Sequence, residues 1–141
     1  MPYVVDASVA VKWFLPEPQH DKAKMLLRDF INQDVALMAP DLITGEVGNA
    51  LWKRSVLIRD ISVQEAREAY QHFLALGLPV YHSSLVAARA LTLAIQEQHR
   101  IYDVLYMALA EQRGCEFITA DERLVRKMSG KFKFVRWLGD F

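Results

Sequence analysis

Four acidic side chains stand where they could do chemistry: Asp6, Glu46, Asp103 and Asp121. Asp6 ends the apolar run "YVV" and precedes "ASVAVKWFL". Glu46 interrupts the apolar pattern of Leu42, Ile43, Val47, Ala50 and Leu51, between Gly45 and Gly48. Asp103 opens "YDVLYMALAEQRG", and Asp121 follows "EFIT". Each also has an everyday explanation. Asp6 could cap the helix after it. An acid in a first turn, as at Asp103, is favoured by the helix dipole. Thr119 and Glu122 have capping-box spacing around Asp121. The glycines beside Glu46 each cost ~1 kcal/mol relative to alanine in a helix, and they suit close packing as well as close approach of a ligand. Taken together, four carboxylates from separate segments that meet would repel one another and, unpaired, protonate in part. A hard divalent cation removes that conflict. An oxygen-only donor set suits Mg²⁺ or Mn²⁺, and these segments hold no histidine or cysteine to favour zinc. Carboxylate-held Mg²⁺ suits in-line hydrolysis of a phosphodiester, with no protein nucleophile. Ser8 could orient a water or phosphate, or simply bond at the helix start. Asn49, one turn beyond Glu46, could hold a carboxylate in place.

The elements that must position these residues follow from periodicity. Short apolar runs predict strands over 3–5, 35–39, 78–82 and 116–119, with an alternating edge strand over 131–138. Helical spacing predicts helices over 7–15, 20–33, 40–55, 62–76, 84–98, 102–114 and 120–130. Pro40 and Asp41 signal the start of the third helix, and Ser62 with Glu65 forms a capping box. Alternating strands and helices predict a mostly parallel sheet covered on both faces. In such sheets the ligand site lies beyond the carboxyl ends of the strands, which is where Asp6 and Asp121 fall. No repeat or linker divides the chain, so one domain is expected over 1–141.

Composition excludes several classes. The chain has 17 basic and 17 acidic residues and is 52% hydrophobic, which argues against a disordered polyelectrolyte and against bulk charge as the means of binding nucleic acid. One cysteine, Cys115, allows no internal disulfide and suits a reducing cytoplasm. No basic leader or apolar run of ~20 residues is present. From Asp121 to Phe141 basic residues outnumber acids six to three, either a solvated face or a flank for a phosphodiester ligand. Lys12 and Lys53 are the other candidates for phosphate contacts. Trp13 and Trp52 could stack bases, although core or dimer burial is the simpler expectation, as packing is for Tyr102 and Tyr106. The four histidines show no metal-ligand spacing, and no role is assigned to them.

The stretches "VVDASVAVKWF", "APDLITGEVGNAL", "YDVLYMALAEQRGCEFITADERL" and the closing strand region resemble, in that order and over nearly the whole chain, the PIN domain family. Within it they resemble the VapC toxin ribonucleases of toxin–antitoxin pairs. The resemblance implies a three-layer α/β/α sandwich with a central, mostly parallel sheet. It implies a Mg²⁺- or Mn²⁺-dependent endoribonuclease acting on tRNA, rRNA or mRNA. The family's acidic positions fall on Asp6, Glu46, Asp103 and Asp121, and its accessory polar positions on Ser8, Asn49 and Thr119. It further implies a homodimer, inhibited by an antitoxin protein whose C-terminal segment covers the site. Two rivals stand beside it. A phosphatase with an aspartate nucleophile resembles DxDxT after its first strand, whereas this chain reads "DASVA". A catalytically idle PIN-like scaffold has no need for four mutually repelling acids.

Overall fold

Val4 and Val5 are fully buried, as a parallel strand covered on both faces requires. They belong to β1 (Pro2–Val5), the middle strand of the computed structural model, which describes residues 1–141. β2 (Ala36–Pro40) and β4 (Glu116–Thr119) flank it, with Val4 opposite Met38 and Val5 opposite Ile118. β3 (Val80–Tyr81) and β5 (Val135–Trp137) complete a parallel five-stranded sheet in the order β3-β2-β1-β4-β5.

Seven helices connect the strands. α1 (Ala7–Ala10) and α2 (His20–Ile31) lie between β1 and β2, and α3 (Leu42–Trp52) and α4 (Val63–Ala75) between β2 and β3. α5 (Ala87–Glu97) and α6 (Ile101–Arg113) precede β4, and α7 (Glu122–Met128) joins β4 to β5. The path β1→β2→β3 steps toward one edge and β3→β4→β5 toward the other. Right-handed crossovers then put α1–α4 on one face and α5–α7 on the opposite one. The direction changes between β1 and β4, and in parallel sheets a crevice opens at such a switch point. α6 lies across β1, β2 and β4. Its residues Val104–Ala110 are all buried, so it is a core helix rather than an amphipathic surface one.

Several elements differ from expectation. The helix expected over 7–15 is one α-helical turn followed by a tighter 3₁₀ turn, Val11–Trp13, ahead of Pro16. The third helix does not stop at Ser55 but widens into a π-helical turn, Lys53–Ile58, that ends on left-handed Arg59. Asp41 does not cap it; its carboxylate instead accepts from the backbone N–H and hydroxyl of Ser83. The edge strand shrinks to Val135–Trp137 because the N–H groups of Lys131 and Phe132 both turn back to the Met128 carbonyl. The Ser62–Glu65 capping box forms as expected. No helix is long and apolar enough to cross a membrane.

Candidate active site

Asp6 leaves β1 at the switch point and is only 7% exposed. Its Oδ1 accepts from the Ser8 hydroxyl at 2.5 Å and the Val9 N–H at 3.3 Å, so it does cap α1. Its Oδ2 accepts from the Thr119 hydroxyl at 2.6 Å. Both hydroxyls also accept. Ser8 Oγ takes the Ala120 N–H at 2.9 Å, and Thr119 Oγ1 takes the Asp121 N–H at 3.1 Å. The ends of β1 and β4 are thereby clasped through one carboxylate. Burial pushes the Asp6 carboxyl up to about 6, against the pull of the Ser8 and Thr119 hydrogen bonds, and the charge of Asp103 adds to the rise. No basic side chain is paired with it.

The other three carboxylates share an arrangement: each gives one oxygen to protein donors and keeps the other free. Asp121 is the N-cap of α7, its Oδ1 accepting from Arg123 N–H at 3.0 Å and Leu124 N–H at 3.2 Å. Glu46 Oε1 accepts from the Tyr106 hydroxyl at 2.6 Å. Asp103 Oδ2 lies 2.8 Å from His99 Nε2. Burial raises the Glu46 carboxyl above its ordinary value, the Tyr106 hydrogen bond opposes this, and the Asp103 charge adds to it. Burial chiefly, then the Glu46 charge and hydrogen bond, hold the Tyr106 phenol in its neutral, donating form. All four acids line one open pocket of about 380 Å³, with Ser8, Asn49 and Lys53 beside them. The side chains line this pocket without three of them closing on a single point.

Sequence expectation and structure part at several residues. Thr119 and Glu122 make no capping box. Asp121 occupies the cap position itself, and the Thr119 hydroxyl is spent on Asp6. Asn49 lines the pocket, but its amide bonds to no carboxylate; Tyr106 fills that role for Glu46. Lys12 is outside the pocket, 12% exposed and paired with Glu17 at 3.2 Å, so it is not free for a phosphate. Lys53 is exposed at the pocket, as expected. Trp13 is buried in the core, whereas Trp52 is 49% exposed. Half of the six basic residues in the C-terminal stretch are in ion pairs: Arg126 with Glu122, Lys131 with Glu97, and Arg136 with Glu116. Reasoning from sequence missed His99 and gave Tyr106 only a packing role. For Tyr106 the available signal was its offset of three residues from Asp103, which puts both on one helix face; His99 lies in the turn before α6 and left no such trace.

Comparison with known proteins agrees with this architecture. Residues 3–129 match the family model of the PIN domain. Over 130 residues the chain is 34% identical to ribonuclease VapC3 of Pyrobaculum aerophilum, spanning 90% of this chain and 95% of that protein. Over 123 residues it is 32% identical to ribonuclease VapC1 of Mycobacterium tuberculosis, spanning 86% of each. Two solved structures share the fold. PAE2754 from Pyrobaculum aerophilum superposes with a TM-score of 0.71 at 22% identity, over 99% of this chain and 94% of that one. Mycobacterium tuberculosis VapC20, described as a sarcin-ricin loop cleaving toxin, gives 0.67 at 18% identity, over 95% of this chain and 98% of that one. The expected three-layer α/β/α architecture is thus the observed one, and the chain belongs to the PIN domain family, resembling its VapC ribonucleases over most of its length.

Proposed function

We propose that the protein is a Mg²⁺- or Mn²⁺-dependent endoribonuclease, the toxin of a toxin–antitoxin pair. The observation that carries this reading is the gathering of Asp6, Glu46, Asp103 and Asp121 in one open pocket with no cation paired to the buried Asp6. The curated relatives are named ribonucleases, which supplies the substrate class. The donor set fits the metal: it is all carboxylate, and Glu46, Asp103 and Asp121 each keep one oxygen free of protein donors. These residues would hold the ion, with Asp6 as its most buried ligand. No three of these side chains close on one point as they stand, and Mg²⁺ held by few carboxylates keeps several waters. When bound, the ion supplies Lewis acidity and an activated water for phosphodiester hydrolysis.

The chain's own residues do the rest. Ser8 and Thr119 fix the Asp6 carboxylate by donating one hydrogen bond to each of its oxygens. Tyr106 holds Glu46. Lys53 and Asn49, exposed beside the acids, would face the phosphate backbone of a bound strand. An antitoxin protein covering the pocket, a homodimeric assembly and a cytoplasmic setting belong to the same reading.

The test is cleavage of a mixed tRNA and rRNA pool by the purified protein with Mg²⁺, Mn²⁺ or chelator, beside Asp6→Asn shown by circular dichroism to be folded. Discrete fragments that require metal and vanish in the variant are the expected result. Equal cleavage by both proteins overturns the site assignment. No cleavage by either, together with no metal binding, leaves an idle scaffold.

A further inference from the structure

His99 lies in the turn between α5 and α6 and is 20% exposed. Its two ring nitrogens meet different partners. Nε2 is 2.8 Å from Asp103 Oδ2, and Nδ1 is 3.0 Å from Lys127 Nζ. An ammonium has only protons to offer. Nδ1 must therefore present a lone pair to Lys127, and the ring proton must sit on Nε2, directed at Asp103. Lys127 is held in place by a second bond, to the Gln98 carbonyl at 3.2 Å. Gln98 is left-handed, with φ at 52°, and closes α5. Lys127 stands on α7, the helix that Asp121 caps. The chain Asp103–His99–Lys127 thus links the two segments that carry Asp103 and Asp121.

We infer that His99 is a positioning residue for the metal site: with Nδ1 facing Lys127 and Nε2 facing Asp103, it binds one oxygen of Asp103 and turns the other toward the pocket. The inference rests on the proposed metal site. A carboxylate with one oxygen tied has a single orientation to offer an ion, whereas an untied one must be ordered when the ion binds. Outer partners of this kind typically change metal affinity by about 10–100-fold. Lys127 acts one step further out, through the tautomer alone.

Two measurements test this. In the first, the imidazole ¹⁵N shifts of the metal-free protein report which nitrogen of His99 carries the proton. The expected result is a protonated Nε2 and a bare Nδ1, with that preference lost in Lys127→Met. A proton on Nδ1, or unchanged shifts in Lys127→Met, overturns the tautomer lock. In the second, Mn²⁺ binding is measured by calorimetry. His99→Ala should bind about 10–100-fold more weakly. His99→Gln, which keeps an N–H donor, should recover most of the loss. Equal affinity in wild type and His99→Ala overturns the positioning role while leaving the metal site intact. Failure of the wild type itself to bind Mn²⁺ removes the metal site, and with it this role. A general structural loss would show as a lowered melting temperature in both substitutions, with no recovery in His99→Gln, and would also overturn it.

Discussion

At the scale of single residues, Asp6 combines burial, three hydrogen bonds and no counter-charge. Its carboxyl titrates at about 6 in the folded protein against an ordinary 3.8. Between these values the native state binds more protons than the unfolded one. The stability that Asp6 contributes is therefore fully present below pH 3.8 and is lost as pH rises through about 6. The full shift corresponds to about 3 kcal/mol. Asp6→Asn removes that slope. In chelator at pH 7.5 the variant should be more stable than the wild type by about 1–3 kcal/mol, since the amide forfeits part of the hydrogen bonding. By pH 4 the advantage should have vanished. Urea denaturation at the two pH values checks this, and a variant less stable at pH 7.5 would show that the carboxylate is not strained. A site residue that destabilises its own fold is the usual mark of function exceeding stability at that position. The sequence exposed Asp6 as a carboxylate in an apolar setting. It could not expose Thr119 as its partner, because a hydrogen bond between residues 113 apart leaves no local trace.

At the scale of elements, the two glycines of α3 behave differently although both sit inside one helix. A Cβ at Gly45 meets nothing within 4 Å, whereas one at Gly48 would lie 3.1 Å from the Tyr70 hydroxyl. That hydroxyl donates to the Thr44 carbonyl at 2.7 Å and cannot easily retreat. Gly45→Ala should therefore raise stability by about 0.5–1 kcal/mol, while Gly48→Ala should gain nothing or lose. Chemical denaturation of the two variants gives the order, and a larger gain at Gly48 would mean that Tyr70 yields. Because Gly45 also lines the acidic pocket, its alanine should slow cleavage while stabilising the fold. The same contrast runs through what the sequence revealed. Ser62-x-x-Glu65 and Thr119-x-x-Glu122 spell the same local signal, and only the first caps a helix. In the second, a residue between them takes the cap and frees the threonine for a distant partner. The inner strands β1, β2 and β4 and the buried α6 were legible because burial writes itself into apolar runs. The π-helical turn at Lys53–Ile58 was not, since its ladder shift changes no side-chain pattern.

At the scale of the whole molecule, the change of direction between β1 and β4 decides where the chemistry is placed. It brings Asp6 and Asp121 side by side, and α6, running against the strands, delivers Asp103 to the same edge. A cation bound there joins segments from both ends of the chain, so it should stabilise the fold as a unit. At a free Mn²⁺ concentration about 100 times its dissociation constant the gain is about 2.7 kcal/mol, a rise of several degrees in melting temperature. Scanning calorimetry should show this rise in the wild type and none in Asp6→Asn. A rise in both would place the ion elsewhere. The clasp that ties Asp6 to Thr119 also has a meaning for biosynthesis. Asp6 is translated first, and its partner emerges 113 residues later, followed by Asp121. A nascent chain that stops short of β4 holds Asp6, Glu46 and Asp103 but lacks both Thr119 and Asp121. The pocket with all four acids therefore comes together only after β4 and Asp121 have been made.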